Sequence, residues 1–80
     1  RNVLIAAGNS ADPSLIARCR ELAGDPSPLV RGAAVWALSR LMGDQAFTAL
    51  WNERQAGEDD DSVREEWTAA LGARRERLTA

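Results

Sequence analysis

Apolar residues along this 80-residue chain recur at spacings of three and four, and no segment sustains an alternation of two, so the pattern predicts helices and no strands. The clearest stretch is Val30, Ala34, Ala37, Leu38 and Leu41, one continuous face of small and branched side chains suited to close helix approach. Ser27 precedes Pro28 and is pushed out of the helical region, which makes it the N-cap with proline at the first helical position. Residues 2–9 read as a helix stopping at Gly8-Asn9, residues that tolerate the left-handed conformation of helix ends. Asp12 and Pro13 open a second helix, whose stripe of Leu15, Ile16, Cys19 and Leu22 ends before Gly24. Gly43 breaks the third helix and Asp44 caps a fourth, with Ala46, Phe47, Leu50 and Trp51 facing inward. A charged loop, Glu58-Asp59-Asp60-Asp61, precedes a last helix opened by Asp61 or Ser62, which aligns Val63, Trp67, Ala70, Leu71 and Leu78. Gly72 is its weak point, and acidic residues at its start with Arg74, Arg75 and Arg77 near its end complement the helix dipole.

Two of these helices are related. Val63-Arg64 repeats Val30-Arg31 and Ala70-Leu71 repeats Ala37-Leu38, each at a shift of 33 positions. A period of that length in helix-forming sequence predicts an all-α fold, a short α-solenoid of antiparallel helix pairs in which function lies on surfaces. Residues 1–80 form a single domain on this reading. Because Arg1-Asn2-Val3-Leu4 already reads as mid-helix with no cap ahead of it, the segment is expected to be the C-terminal fragment of a longer protein.

Composition narrows the chemistry. The formal net charge is −2, so the chain as a whole offers no field to attract phosphate, and any nucleic-acid contact has to be local. All ten basic residues are arginine, which a GC-rich coding sequence explains more simply than function. Cys19 is the lone cysteine, and no signal peptide or long apolar span appears, which predicts a reducing cytoplasmic setting and no membrane partner. One cysteine and no histidine fall short of the four or so ligands of a closed metal site, so no metal is expected in this segment. Without histidine or lysine there is no convincing acid–base pair, and no catalytic residue is assigned.

The run Asp25-Pro26-Ser27-Pro28-Leu29-Val30-Arg31-Gly32-Ala33-Ala34-Val35-Trp36-Ala37-Leu38 resembles a short HEAT-like repeat, and residues 58–71 resemble it loosely. Taken with Arg1-Asn2-Val3-Leu4-Ile5-Ala6-Ala7-Gly8-Asn9-Ser10-Ala11-Asp12-Pro13, it is similar to the C-terminal end of epoxyqueuosine reductases. That resemblance implies a parent oxidoreductase of queuosine tRNA modification that carries cobalamin and two 4Fe–4S clusters. It implies that this segment is the non-catalytic domain bracing the enzyme and contacting tRNA. The cluster ligands of the family are two ferredoxin-type cysteine runs, and neither these nor the cobalamin pocket maps onto these 80 residues. The alternative is a HEAT-repeat scaffold for protein–protein interaction from another multidomain chain.

The resemblance places Arg1, Asn2, Asn9 and Ser10 just after the cluster domain, where such polar residues could hold the anticodon arm of tRNA or bond to neighbouring helix ends. Arg31 and Arg64 occupy equivalent places one turn into their helices. Each either bridges to a carboxylate such as Asp25 or Asp59 or to turn carbonyls, locking one repeat onto the next, or points outward as a phosphate clamp. Arg1, Asn2, Asn9 and Arg31 are accordingly the candidate contacts to tRNA or to the upstream catalytic domain. Trp51 and Trp67 are expected in the core, whereas Trp36 lies off the main apolar face beside Leu29, Ala33 and Arg40 and is left to the next layer or an exposed groove. Cys19 reads as packing, since no histidine is present to activate it, and the run from Glu58 to Asp61 as a solvated linker.

Overall fold

Each predicted helix forms. The computed structural model describes the backbone of residues 2–79 and the side chains of residues 3–74. Its helices are α1 (Asn2–Ser10), α2 (Ile16–Leu22), α3 (Pro28–Leu41), α4 (Asp44–Arg54) and α5 (Asp61–Thr79). Short 3₁₀ turns, Pro13–Leu15 and Gln55–Gly57, lead into α2 and out of α4. No strand occurs among the described residues.

The starts of the helices follow local chemistry, with two differences from expectation. Asp12 accepts from the Ser14 N–H at 3.0 Å and opens a 3₁₀ turn that runs into α2. Ser27 is extended, at φ −81° and ψ 122°, but its hydroxyl caps nothing. Its N–H donates instead to Asp25 Oδ1 at 2.9 Å and its carbonyl accepts from Arg31 N–H at 3.0 Å. At α4 the cap position is Gly43, and Asp44 is already helical. Helix α5 opens at Asp61, as expected, and its cap is Asp60, whose carboxylate accepts from the Val63 N–H at 3.0 Å and from the Ser62 hydroxyl. Helix α1 does not stop at Gly8-Asn9. It runs to Ser10, and the left-handed residue that ends it is Ala11, at φ 57°.

The core centres on α3, which packs against α1, α2 and α5. Because α3 is covered on several sides, its buried surface is wider than one stripe: Ala34, Val35, Ala37 and Leu38 are all fully buried. Leu4 and Ala7 of α1, Cys19 of α2, Phe47 and Leu50 of α4, and Val63 and Trp67 of α5 complete it. Trp67 stacks on Trp51 with centroids 5.3 Å apart and tilts against Phe47 at 4.9 Å. Trp51 is only half-buried and Ala46 is exposed, against the expectation for α4. The side chain of Leu78 lies outside the described residues.

Arg74 is also part of the core rather than a surface charge complementing the dipole. It is 6% exposed, and its guanidinium donates to the carboxylate of Asp44, to the carbonyl of Ser39 and, at 2.9 Å, to that of Met42. It also lies 4.6 Å from the centroid of the Phe47 ring. One side chain from α5 thereby satisfies carbonyls at the end of α3 and joins them to the start of α4. The side chains of Arg75 and Arg77 lie outside the described residues.

Candidate functional site

Arg31 projects from the first turn of α3 toward the turn that opens α5. Its Nε and Nη2 donate to the two carboxylate oxygens of Glu58 at 2.9 and 3.0 Å, and its Nη1 donates to the carbonyls of Asp25 and Pro26 at 2.9 and 3.0 Å. The fork is well enclosed, since the side chains of Arg31 and Glu58 are 15% and 7% exposed. Pairing with Glu58 raises the already high guanidinium pKa further. Glu58 is thus the partner, whereas the sequence suggested Asp25 or Asp59. Asp59 lies at 3.9 Å and is almost fully exposed, and Asp25 contributes its carbonyl. The acidic run is consequently not a solvated linker. Glu58 locks α3, Asp60 caps α5, and Asp61 is helical.

Arg64 repeats half of this arrangement. Its Nη1 donates to the carbonyls of Gln55 and Glu58 at 2.7 and 2.8 Å, and its guanidinium sits 5.2 Å from the Trp51 ring centroid. The signal for Glu58 was present in the repeat itself, because the 33-residue shift that relates Arg31 to Arg64 also carries Asp25 onto Glu58.

Of the four candidate contact residues, the two whose side chains are described, Asn9 and Arg31, lie apart. Arg1 lies outside the described residues, as does the side chain of Asn2. Asn9 is exposed in the last turn of α1 and makes no side-chain hydrogen bond among the described residues, while Ser10 bonds to the Ala7 carbonyl at 2.7 Å. The end of α1 that carries Asn9 meets α3 near Trp36 and Arg40: Gly8 abuts the indole, and its carbonyl accepts from Arg40 Nε at 3.2 Å. Arg31 lies nine residues earlier on α3, about 13 Å along the axis, and faces α5.

Two open cavities flank α3. One, of about 300 Å³, adjoins Gly24, Asp25, Arg31, Arg54, Glu58 and Asp59, and its charges are mixed. The other, of about 500 Å³, is a groove over Ile5, Leu29, Ala33 and Trp36 with Ser62 and Glu66 along its far wall. Leu29 is 73% exposed there. Trp36 is half-buried between Gly8 and this groove, and the Arg40 guanidinium lies 5.4 Å from its ring centroid.

Cys19 is buried, and burial pushes its thiol pKa up, away from the reactive thiolate. No group of three histidine, cysteine or carboxylate side chains is placed to hold a metal among the described residues. The donor set does not fit an iron–sulfur cluster, which takes four cysteine thiolates. No described helix is long and apolar enough to cross a membrane. Residues 1–72 match the family model for HEAT repeats. No curated protein and no solved structure matches the chain.

Proposed function

The chain belongs to the family of HEAT repeats, and from that premise we propose that it is the non-catalytic repeat domain of an epoxyqueuosine reductase-like iron–sulfur protein of queuosine tRNA modification. In this role it braces the upstream catalytic domain and extends the surface that meets tRNA. The observation that carries the bracing role is the Arg31–Glu58 fork, which joins successive repeats through two hydrogen bonds to Glu58 while two more from the same side chain hold the turn before α3. The choice of parent is supported by the resemblance over Arg1–Pro13 and Asp25–Leu38. The parent's cobalamin and two clusters are held elsewhere in the enzyme on this reading. Arg1, Asn2 and Asn9 are the direct contacts it puts forward, and Arg31 serves the bracing role by holding the turns before α3 and α5.

The deciding experiment is to sequence the reading frame upstream of Arg1 and express the whole protein. Two runs of the form C-x₂-C-x₂-C-x₃-C, bound iron and reduction of epoxyqueuosine in tRNA are expected. In that enzyme, unchanged tRNA affinity with lower thermal stability in Arg31→Ala would exclude a phosphate clamp at Arg31. Further helix-pair repeats upstream without cysteine runs would overturn the tRNA proposal. The second reading, a protein-binding scaffold in another multidomain chain, is favoured by the apolar groove over Leu29 and Trp36, and that outcome would leave it standing.

A further inference from the structure

The 33-residue repeat supplies an internal control for the groove between α1, α3 and α5. Leu29, Ala33 and Trp36 occupy the second, sixth and ninth positions of α3, and the same positions of α5 hold Ser62, Glu66 and Ala69. The repeat fold therefore tolerates a hydroxyl, a carboxylate and a methyl where α3 carries an apolar floor. Leu29 at 73% exposure contributes little to the core, and with Val3 and Ile5 it makes up the exposed large apolar residues of the described chain. An exposed leucine that the fold does not require, set along one groove beside the outer faces of Ile5, Ala33 and Trp36, marks a contact surface.

Charge identifies the occupant. Glu66 lies against Gly32, where a Cβ would stand 3.7 Å from Glu66 Cγ. Its carboxylate has neither an ion pair nor a hydrogen bond among the described residues. The described residues that line the groove include no cation, and Arg40, beside Trp36, is committed to the Gly8 carbonyl and the Trp36 ring. The groove thus offers an apolar floor with a negative charge on its wall that no described residue pairs. From Leu29 to Trp36 it follows α3 for about 10 Å, or two helical turns.

We propose that this groove binds a basic amphipathic helix of a protein partner, with apolar side chains over Leu29, Ala33 and Trp36 and an arginine or lysine on Glu66. The proposal goes beyond the tRNA reading and does not depend on which parent carries the domain. It is tested by amide and indole NMR shifts of the 80-residue chain titrated with a helical peptide of about 18 residues. The peptide has leucines at i, i+3, i+4 and i+7 of successive turns and arginines elsewhere, and its twin carries glutamates in place of the arginines.

The basic peptide is expected to shift the Trp36 indole N–H and the Leu29 and Ala33 amides, with the acidic twin at least about tenfold weaker. Leu29→Ser, which installs the side chain that α5 already carries, and Glu66→Gln should each weaken binding about fivefold or more while leaving the thermal midpoint unchanged. Equal binding of the two peptides, shifts mapping elsewhere, or undiminished binding by folded Leu29→Ser protein would overturn the proposal. So would concentration-dependent shifts at these residues without peptide, which would make a second copy of the chain the occupant.

Discussion

Gly8 lies inside α1, where glycine costs up to about 1 kcal/mol relative to alanine, and packing explains its presence. An ideal Cβ at this position would stand 2.5 Å from Cζ3 of Trp36 and 3.1 Å from two further ring atoms. A rigid indole has no flexible end to swing aside, so α1 and α3 would have to separate. Overpacking of this kind costs about 1–3 kcal/mol, which exceeds the propensity gained. Gly8→Ala is therefore expected to lower the unfolding free energy, read by urea denaturation, by a net of about 1 kcal/mol. Gly72 is the matched comparison, since it lies within α5 with nothing within 4 Å of its would-be Cβ and no positive φ. Gly72→Ala should raise stability by about 0.5–1 kcal/mol, and a gain in both variants would refute the packing account. The sequence suggested Gly8 as a helix stop because a glycine beside an asparagine carries that local signal. A close approach to a residue 28 positions away leaves no such local mark.

Between elements, the Arg31–Glu58 fork is the main polar tie from α3 to the turn before α5. Arg31→Ala strands a carboxylate that is 7% exposed, and a loss of about 2–3 kcal/mol is expected because an uncompensated, largely buried charge is costly. Glu58→Ala should cost less, since Arg31 keeps its two turn carbonyls. A double-mutant cycle read by urea denaturation should show coupling of about 1–2 kcal/mol, and simple additivity would mean the fork ties nothing together. Asp60, two residues on, adds a pH dependence. Hydrogen bonds from the Ser62 hydroxyl and the Val63 N–H hold its pKa below the ordinary 3.8, so the folded chain binds that proton more weakly than the unfolded one. Its contribution is complete above 3.8 and is lost as pH falls through the lower folded value. Asp12 behaves alike through its bonds from Ser14. Asp60→Asn, which keeps a competent cap, should show a shallower loss of stability than the parent between about pH 5 and pH 2.5. Parallel acid profiles would exclude a role for the Asp60 charge. Helix order and most starts were legible because proline, aspartate and glycine act over a few residues. Glu58 was marked only by its equivalence to Asp25 in the repeat, which a run of acids obscures, and the role of Arg74 was not legible, because an arginine near a helix end resembles a dipole partner until distant carbonyls and charges are brought beside it.

At the scale of the molecule, a solenoid couples each repeat to its neighbours, and in this chain α3 is the element shared by those contacts. It meets α1 on one side, α5 on the other and α2 across the layer, and its Ala34, Val35, Ala37 and Leu38 are wholly excluded from water. Helix α1 depends chiefly on α3, with only Leu4 and Ala7 in the core cluster, whereas Val3 and Ile5 are exposed. These placements order the opening energies. α1 can fray while the rest holds, but α3 cannot lose its bonds without exposing the apolar contacts of its neighbours. The recurrence of Val-Arg and Ala-Leu identified α3 and α5 as equivalent in sequence, yet equivalence alone does not say which of them is central; only the stacking of elements on both sides does. Native-state hydrogen exchange should find the slowest amides at Val35, Ala37 and Leu38, with opening free energies equal to that of global unfolding. The amides of Ala6 and Ala7 should exchange through a smaller opening that is insensitive to low urea. If α1 and α3 exchanged with the same free energy and the same urea dependence, the chain would unfold as one unit with no separable first helix. The contacts of α1 on α3 would then be stronger than its sparse burial implies.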